Sequence, residues 1–188
     1  MMDVAVRRAT HDDILAVTAI YGYHVTTGLA SFELEPPPVG EMLRRYSELT
    51  AQGYPYLVAE RDGRIVGYAY AGAYRARPAY RFSVENSVYV DPDARRAGIG
   101  GTLLRALVAE CERMGFRQMV AVIGDSANTA SIGLHAACGF APIGVLPAIG
   151  YKFGRWVDSV FMQRPLGEGG ATPPAHESPP ATGSAKSP

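Results

Sequence analysis

The chain has 188 residues, 47% of them apolar, which is enough for one substantial core and leaves little room for a second domain. Its 18 Lys and Arg balance 18 Asp and Glu, so the whole-chain field gives no footprint for nucleic acid or an anionic membrane and favours a small, locally charged ligand. Met1 to Asp13 lack the apolar run of a signal peptide, and no stretch approaches the roughly 20 apolar residues of a bilayer span, so a cytoplasmic protein is expected.

Val4 to Arg8 reads as a first strand, and Thr10 with Asp13 as a helix cap ahead of Ile14, Val17 and Tyr21 at helical spacing. Gly28 to Pro38 contains Phe32, Glu33 and three consecutive prolines; it is too irregular for a regular element and suits a wall over a site. A helix over roughly Val39 to Gln52 carries Met42, Leu43, Tyr46 and Leu49 and stops at Gly53. Tyr56 to Glu60 and Ile65 to Tyr74 flank Asp62-Gly63, a favoured two-residue hairpin turn, so they are expected to be antiparallel strands. Arg81 to Val90 is a further strand, followed by a glycine-rich turn, a helix to Gly115, a strand over Gln118 to Gly124, a helix over Thr129 to Cys138, and strands over Phe140 to Leu146 and Arg155 to Arg164. This order predicts one α/β domain with a mixed, mostly antiparallel sheet and helices on its faces. Residues 167–188, rich in Pro, Ala and Ser, are expected to form a disordered tail. Cys111 and Cys138 read as free thiols, and no metal-ligand spacing surrounds them, so no metal is expected.

The stretch Val88-Tyr89-Val90, followed by Arg95-Arg96-Ala97-Gly98-Ile99-Gly100-Gly101 and an apolar helix, reads as an anion cradle. A helix start leaves unpaired N–H donors and a partial positive charge, and the two arginines add full charges beside them. Alternation on the strand before it puts Ser83, Glu85, Ser87 and Tyr89 on one side and Val84, Asn86, Val88 and Val90 on the other. On spacing alone, Glu85 is either a solvated carboxylate or a site residue. Asn128, Ser131 and His135 fall on one helix face, which fits a structural or a site histidine equally. Arg75 and Arg77, two apart at a strand end, fit a carboxylate clamp or a solvated loop.

Arg95-x-x-Gly98-x-Gly100 between strand and helix resembles the pyrophosphate motif of the Gcn5-related N-acetyltransferases. Tyr70-Ala71-Gly72, Arg75-Ala76-Arg77, Glu85 to Val90, Val120 to Gly124, Asn128, His135, Gly139-Phe140 and Gly150 to Asp158 extend the likeness over about Val4 to Leu166. They resemble the branch of that family that acetylates phosphinothricin, methionine sulfone or methionine sulfoximine. The resemblance implies an acetyltransferase domain over residues 1–166, in which two parallel strands, Arg81–Val90 and Gln118–Gly124, splay apart to admit the pantetheine arm of acetyl-CoA.

It further implies direct transfer of an acetyl group to the primary amine of a small amino-acid-like acceptor, without a metal. The implied cofactor contacts are Val88, Tyr89, Val90, Arg95 to Gly101, Asn128 and Ser131. Glu85 is the implied base, and the N–H of Val88 or Tyr89 is the donor to the tetrahedral oxyanion. His135 stands where many relatives carry the tyrosine that protonates the leaving thiolate. Phe32, Arg75, Arg77 and Tyr80, with Glu85, Asn86 and Ser87, are implied on the acceptor side, and a homodimer is the implied assembly. Other amines (a polyamine, an antibiotic, a peptide N-terminus) and a CoA-binding sensor without turnover are the competing expectations.

Overall fold

The computed structural model describes residues 4–94 and 97–174. Strand β1 (Ala5–Arg8) leads through a single 3-10 turn, His11–Asp13, into α1 (Ile14–Thr27). Asp13 makes that junction: its carboxylate accepts the Thr10 N–H at 2.7 Å and the Thr10 hydroxyl at 3.0 Å, and it pairs with Arg7 at 2.7 Å. The Arg7 guanidinium holds this carboxyl down to about 2.

After α2 (Val39–Ala51) come β2 (Tyr56–Arg61) and β3 (Arg64–Ala73), joined by Asp62 and Gly63 at φ 53° and 73°, the positive values that match hairpin twist. Strand β4 is Ser83–Val90 and does not begin at Arg81 as expected, because Pro78–Tyr80 forms a 3-10 turn just before it. Proline presets that backbone and withholds a ladder donor. Then follow α3 (Ile99–Arg113), β5 (Gln118–Gly124), α4 (Thr129–Ala137), β6 (Ala141–Lys152) and β7 (Arg155–Pro165). Strand β6 runs past its expected end at Leu146. Its ladder with β7 is irregular between Leu146 and Gly150, where Ala148 has φ 51° and gives its N–H to Asp158 Oδ1 at 2.9 Å. The irregularity breaks the period-two signal without ending the strand.

The strands form one sheet in the order β1-β2-β3-β4-β5-β7-β6, in which β4 and β5 are parallel and the other neighbours antiparallel. One face carries a core under α3 that includes Leu103, Leu104, Leu107, Ala121 and Met162. The other carries a core under α1 and α2 in which Tyr21, Tyr46, Tyr56 and Tyr68 join Ile14, Val17 and Val25. Beyond Leu166, residues 167–174 form turns, with Gly169 and Thr172 accepting from Arg117 at 2.8 Å. The rest of the expected tail, 175–188, lies outside the described residues. Among the described residues, no helix is long and apolar enough to cross a membrane.

Candidate active site

The β4/β5 ladder runs from Ser83 opposite Gln118 to Asn86 opposite Ala121 and stops there, although the strands continue to Val90 and Gly124. The parallel pair therefore opens toward its C-terminal end. Backbone direction on β4 can be read from its ends. The Ser83 carbonyl takes the Tyr74 N–H and the Asp91 N–H goes to Val66, so odd positions face β3. The Phe82 carbonyl takes N–H groups from Arg117 and Gln118, so even positions face β5. Val88 and Val90 thus turn their N–H groups into the opening, while Tyr89 turns its own toward β3. Of the two N–H groups that the sequence singled out, Val88 and Tyr89, that of Val88 is the one directed into the opening. The Val90 carbonyl meets His24 Nε2 at 2.9 Å. A cavity of about 50 Å³ lies in the opening, lined by Asn86, Val88, Val122, Gly124, Asn128 and His135 among others.

The irregular segment after α1 covers this opening. A Cβ on Gly124 would sit 2.0 Å from the Leu29 carbonyl oxygen, a backbone approach that only glycine permits. Phe32, half exposed, lies over Gly150, where an added Cβ would meet its ring at 2.4 Å. Below the opening, Gly98 caps α3 at φ 75°, so the N–H groups of Ile99, Gly100 and Gly101 begin the helix without intrahelical acceptors. Ile99 is buried in the core and fixes that first turn, and Gly100 packs against Leu134 so closely that a Cβ would lie 3.2 Å from it. Ala97 is exposed beside Gly98, and Arg95 and Arg96 lie outside the described residues.

Asn128 accepts the Ser131 N–H at 3.1 Å and so caps α4. One turn on, His135 is 5% exposed. Its Nδ1 lies 2.8 Å from the Ser131 carbonyl and its Nε2 3.0 Å from Asn86 Oδ1. A carbonyl only accepts, so Nδ1 carries a proton. Asn86, also 5% exposed, gives its Nδ2 hydrogen to the Val120 carbonyl at 3.0 Å, so Nε2 faces an acceptor too. That arrangement is complete when His135 holds both protons, whereas burial pushes the histidine pKa down. Asn86 is thus engaged at the last rung of the ladder, on the face away from Glu85.

Glu85 and Ser87 share the other face of β4. Glu85 is partly buried, which raises its carboxyl pKa, and Arg75 lowers it in part from 3.9 Å. Arg75 also gives a hydrogen bond to its neighbour's carbonyl, Tyr74 O, at 2.8 Å. Arg77 is exposed before the 3-10 turn, and Tyr80, half exposed, meets Tyr74 edge to face at 5.6 Å. Arg75 alone of this group is placed against Glu85, Tyr80 stands against Tyr74, and Phe32 lies over Gly150.

Sequence reading missed two groups. Tyr70, opposite Ser87 in the β3/β4 register, was read as part of a strand and of the family likeness and given no place in the site. Lys152 is buried and gives its Nζ proton to the Ser31 carbonyl at 2.7 Å; nothing in its neighbourhood of the chain announced this, because Ser31 is 121 residues away.

Residues 21–140 match the family model described as the acetyltransferase (GNAT) family. A phosphinothricin N-acetyltransferase of Alcaligenes faecalis is 57% identical over 169 residues, covering 90% of this chain and 86% of that protein. An L-methionine sulfoximine/L-methionine sulfone acetyltransferase of Salmonella typhimurium is 39% identical over 165 residues, covering 88% and 96%. A crystal structure of a GNAT superfamily phosphinothricin acetyltransferase from Sinorhizobium meliloti, in complex with AcCoA, superposes with a TM-score of 0.90 at 50% identity over 93% of this chain and 94% of that one. With the splayed strand pair, the glycine-capped α3 and these relatives together, the chain belongs to the GNAT family of acetyltransferases.

Proposed function

We propose that this protein is an N-acetyltransferase for the primary amine of a small amino-acid-like acceptor of the phosphinothricin and methionine sulfone class. The reading is carried by one juxtaposition: the open edge of β4 at Val88 and Val90 lies beside Glu85, whose carboxyl pKa is raised by burial. The names of the relatives from Alcaligenes faecalis and Salmonella typhimurium support the acceptor class.

The residues present fit acetyl-CoA, which supplies an acetyl group activated as a thioester. Val88 and Val90 offer backbone groups to an extended arm by strand addition, and the first N–H groups of α3 suit a pyrophosphate. Glu85 takes the proton that an α-ammonium group, with a reference pKa of about 7.7–8.0, must lose before it can attack. The Val88 N–H donates to the thioester oxygen as that oxygen gains charge. His135, held between Ser131 and Asn86, keeps the proton that the departing thiolate takes. Arg75 and Arg77 receive the acceptor carboxylate, and Phe32 and Tyr80 bound the acceptor. We place the catalytic unit in residues 1–166, working in the cytoplasm in detoxification.

The assembly we propose is a homodimer. Strand β6 is the sheet edge, and with β7 it exposes Ile143, Val145, Leu146, Ile149, Tyr151 and Trp156, more apolar surface than a lone edge strand usually leaves in water. The test of the acceptor class is CoA thiol release from acetyl-CoA with amino-acid acceptors against a polyamine and an aminoglycoside. Release with the amino-acid group supports the reading, and release with the polycations alone refutes it, because paired guanidinium groups repel a polycation.

A further inference from the structure

The segment between α1 and α2 is held in place by side chains. Among the described residues, the backbone of 29–37 makes no hydrogen bond to other backbone. The segment nevertheless crosses the opening from the end of α1 to β6. The Leu29 carbonyl rests on Gly124, Ala30 lines the cavity between the splayed strands, Ser31 is buried, and the Phe32 ring lies over Gly150. Backbone without a ladder of its own keeps one position only where other groups fix it.

Side chains tie it on both sides of the opening. On the helix side, the Tyr21 hydroxyl donates to Glu33 Oε1 at 3.0 Å and lies 2.8 Å from Ser31 Oγ, which accepts the Glu33 N–H at 3.2 Å. Arg45 on α2 holds the same Glu33 oxygen at 2.6 Å. On the β6 side, Lys152, 2% exposed, gives its Nζ proton to the Ser31 carbonyl at 2.7 Å. Lys152 stands on the last rung of the β6/β7 ladder, opposite Arg155. The turn it closes has Phe153 and Gly154 at φ 51° and 73°, the positive pair of a tight hairpin. Its backbone is therefore fixed by β7, independently of the segment that it holds. Alternation turns Gly150 and Lys152 toward the segment and leaves Ile149 and Tyr151 exposed. A buried ammonium is costly unless acceptors face it; the Ser31 carbonyl is one, and Glu33 favours the same charge.

We propose that Lys152 is a positioning residue for the acceptor: by holding the Ser31 carbonyl it keeps Phe32 in place as a wall of the acceptor site. Without that bond the segment stays anchored at Tyr21 and Arg45, and its far side, Ser31 and Phe32, comes free. Leu29 and Ala30, next to α1, keep their place over the cofactor arm. The inference rests on the acetyltransferase reading above, in which Phe32 bounds the acceptor, and gives Lys152 a part in acceptor affinity that leaves cofactor binding and the chemical step alone. A lysine that served the fold alone would lower stability without separating the two KM values.

The experiment measures kcat, the acceptor KM and the acetyl-CoA KM of the wild type, Lys152→Met, Phe32→Ala and the double variant, with L-methionine sulfone and L-phosphinothricin as acceptors, and the thermal midpoint of each protein. Methionine keeps most of the apolar stem and removes the donor. Lys152→Met is expected to raise the acceptor KM about 10-fold, the scale of one charge-assisted hydrogen bond, with kcat and the acetyl-CoA KM little changed. Phe32→Ala is expected to raise the acceptor KM in the wild type and to add little in Lys152→Met, because both act through one wall. An unchanged acceptor KM in Lys152→Met, an equal rise in both KM values, or full additivity with Phe32→Ala overturns the assignment while leaving the acetyltransferase reading intact. If Lys152→Met does not fold, Tyr21→Phe loosens the opposite tie: a raised acceptor KM with an unchanged acetyl-CoA KM supports the held wall, and an unchanged acceptor KM overturns it. Turnover of neither acceptor by the wild type overturns the acetyltransferase reading, and the assignment with it.

Discussion

Glu85 and Arg75 make a pair whose pH behaviour has a definite sign. Burial raises the Glu85 carboxyl pKa and the Arg75 charge partly opposes that rise. A base must be ionised to work, so kcat/KM rises with pH through the raised Glu85 value and falls off below it. Arg75→Ala removes the opposing charge, so the acid limb of the pH profile moves to higher pH; a limb that stays in place, or moves down, separates Glu85 from the limb. Asn86 is a different kind of residue. It ties Val120 to His135 where the ladder ends, so Asn86→Ala removes the side-chain partner of the Val120 carbonyl and that of the imidazole Nε2. The expected cost is about 1–3 kcal/mol in urea unfolding, with a lower kcat and little change in acceptor KM. The face on which Glu85 lies was legible from strand alternation, because Val84 and Val88 mark the apolar side. The role of Asn86 was not, since its partners are 34 and 49 residues away and no local pattern encodes them.

At the level of elements, two glycines separate backbone conformation from packing. Gly98 has φ 75° with open space around it, so Gly98→Ala adds no clash and costs about 1–2 kcal/mol for the left-handed backbone alone. The expected readout is a raised KM for acetyl-CoA, since the first donors of α3 are re-aimed, with acceptor KM unchanged. Gly124→Ala instead drives a methyl into the Leu29 carbonyl and lifts the covering loop, so the acceptor KM is expected to rise as well. Equal kinetic profiles for the two variants would contradict this division of labour. The Asp62-Gly63 hairpin, the glycine-rich turn and the helices were readable because turn chemistry and periodicity are local. The start of β4 and the length of β6 were misread because a proline turn and a bulge held by Asp158 interrupt the pattern that the reading relied on.

For the whole molecule, the α/β class and the splay were expected from element order and resemblance, whereas the point where the ladder opens depends on long-range pairing that composition does not carry. Acid stability has its own signature. Asp13, held to about 2 by Arg7 against an unfolded value near about 4, stabilises the fold above its unfolded pKa and loses that contribution as pH falls from about 4 toward about 2. Asp13→Asn should therefore lower the urea midpoint near neutrality and flatten its acid dependence. The homodimer is tested by light scattering: Trp156→Glu places a charge in the exposed β6/β7 patch and is expected to give a monomer where the wild type is a dimer. The most direct test of the central claim is CoA thiol release with L-methionine sulfone or phosphinothricin in wild type and Glu85→Gln, with acetyl-CoA affinity measured on both by calorimetry. The account predicts turnover in the wild type, a fall of about 10²- to 10⁴-fold in Glu85→Gln, and equal acetyl-CoA affinity. Undiminished turnover in Glu85→Gln contradicts it.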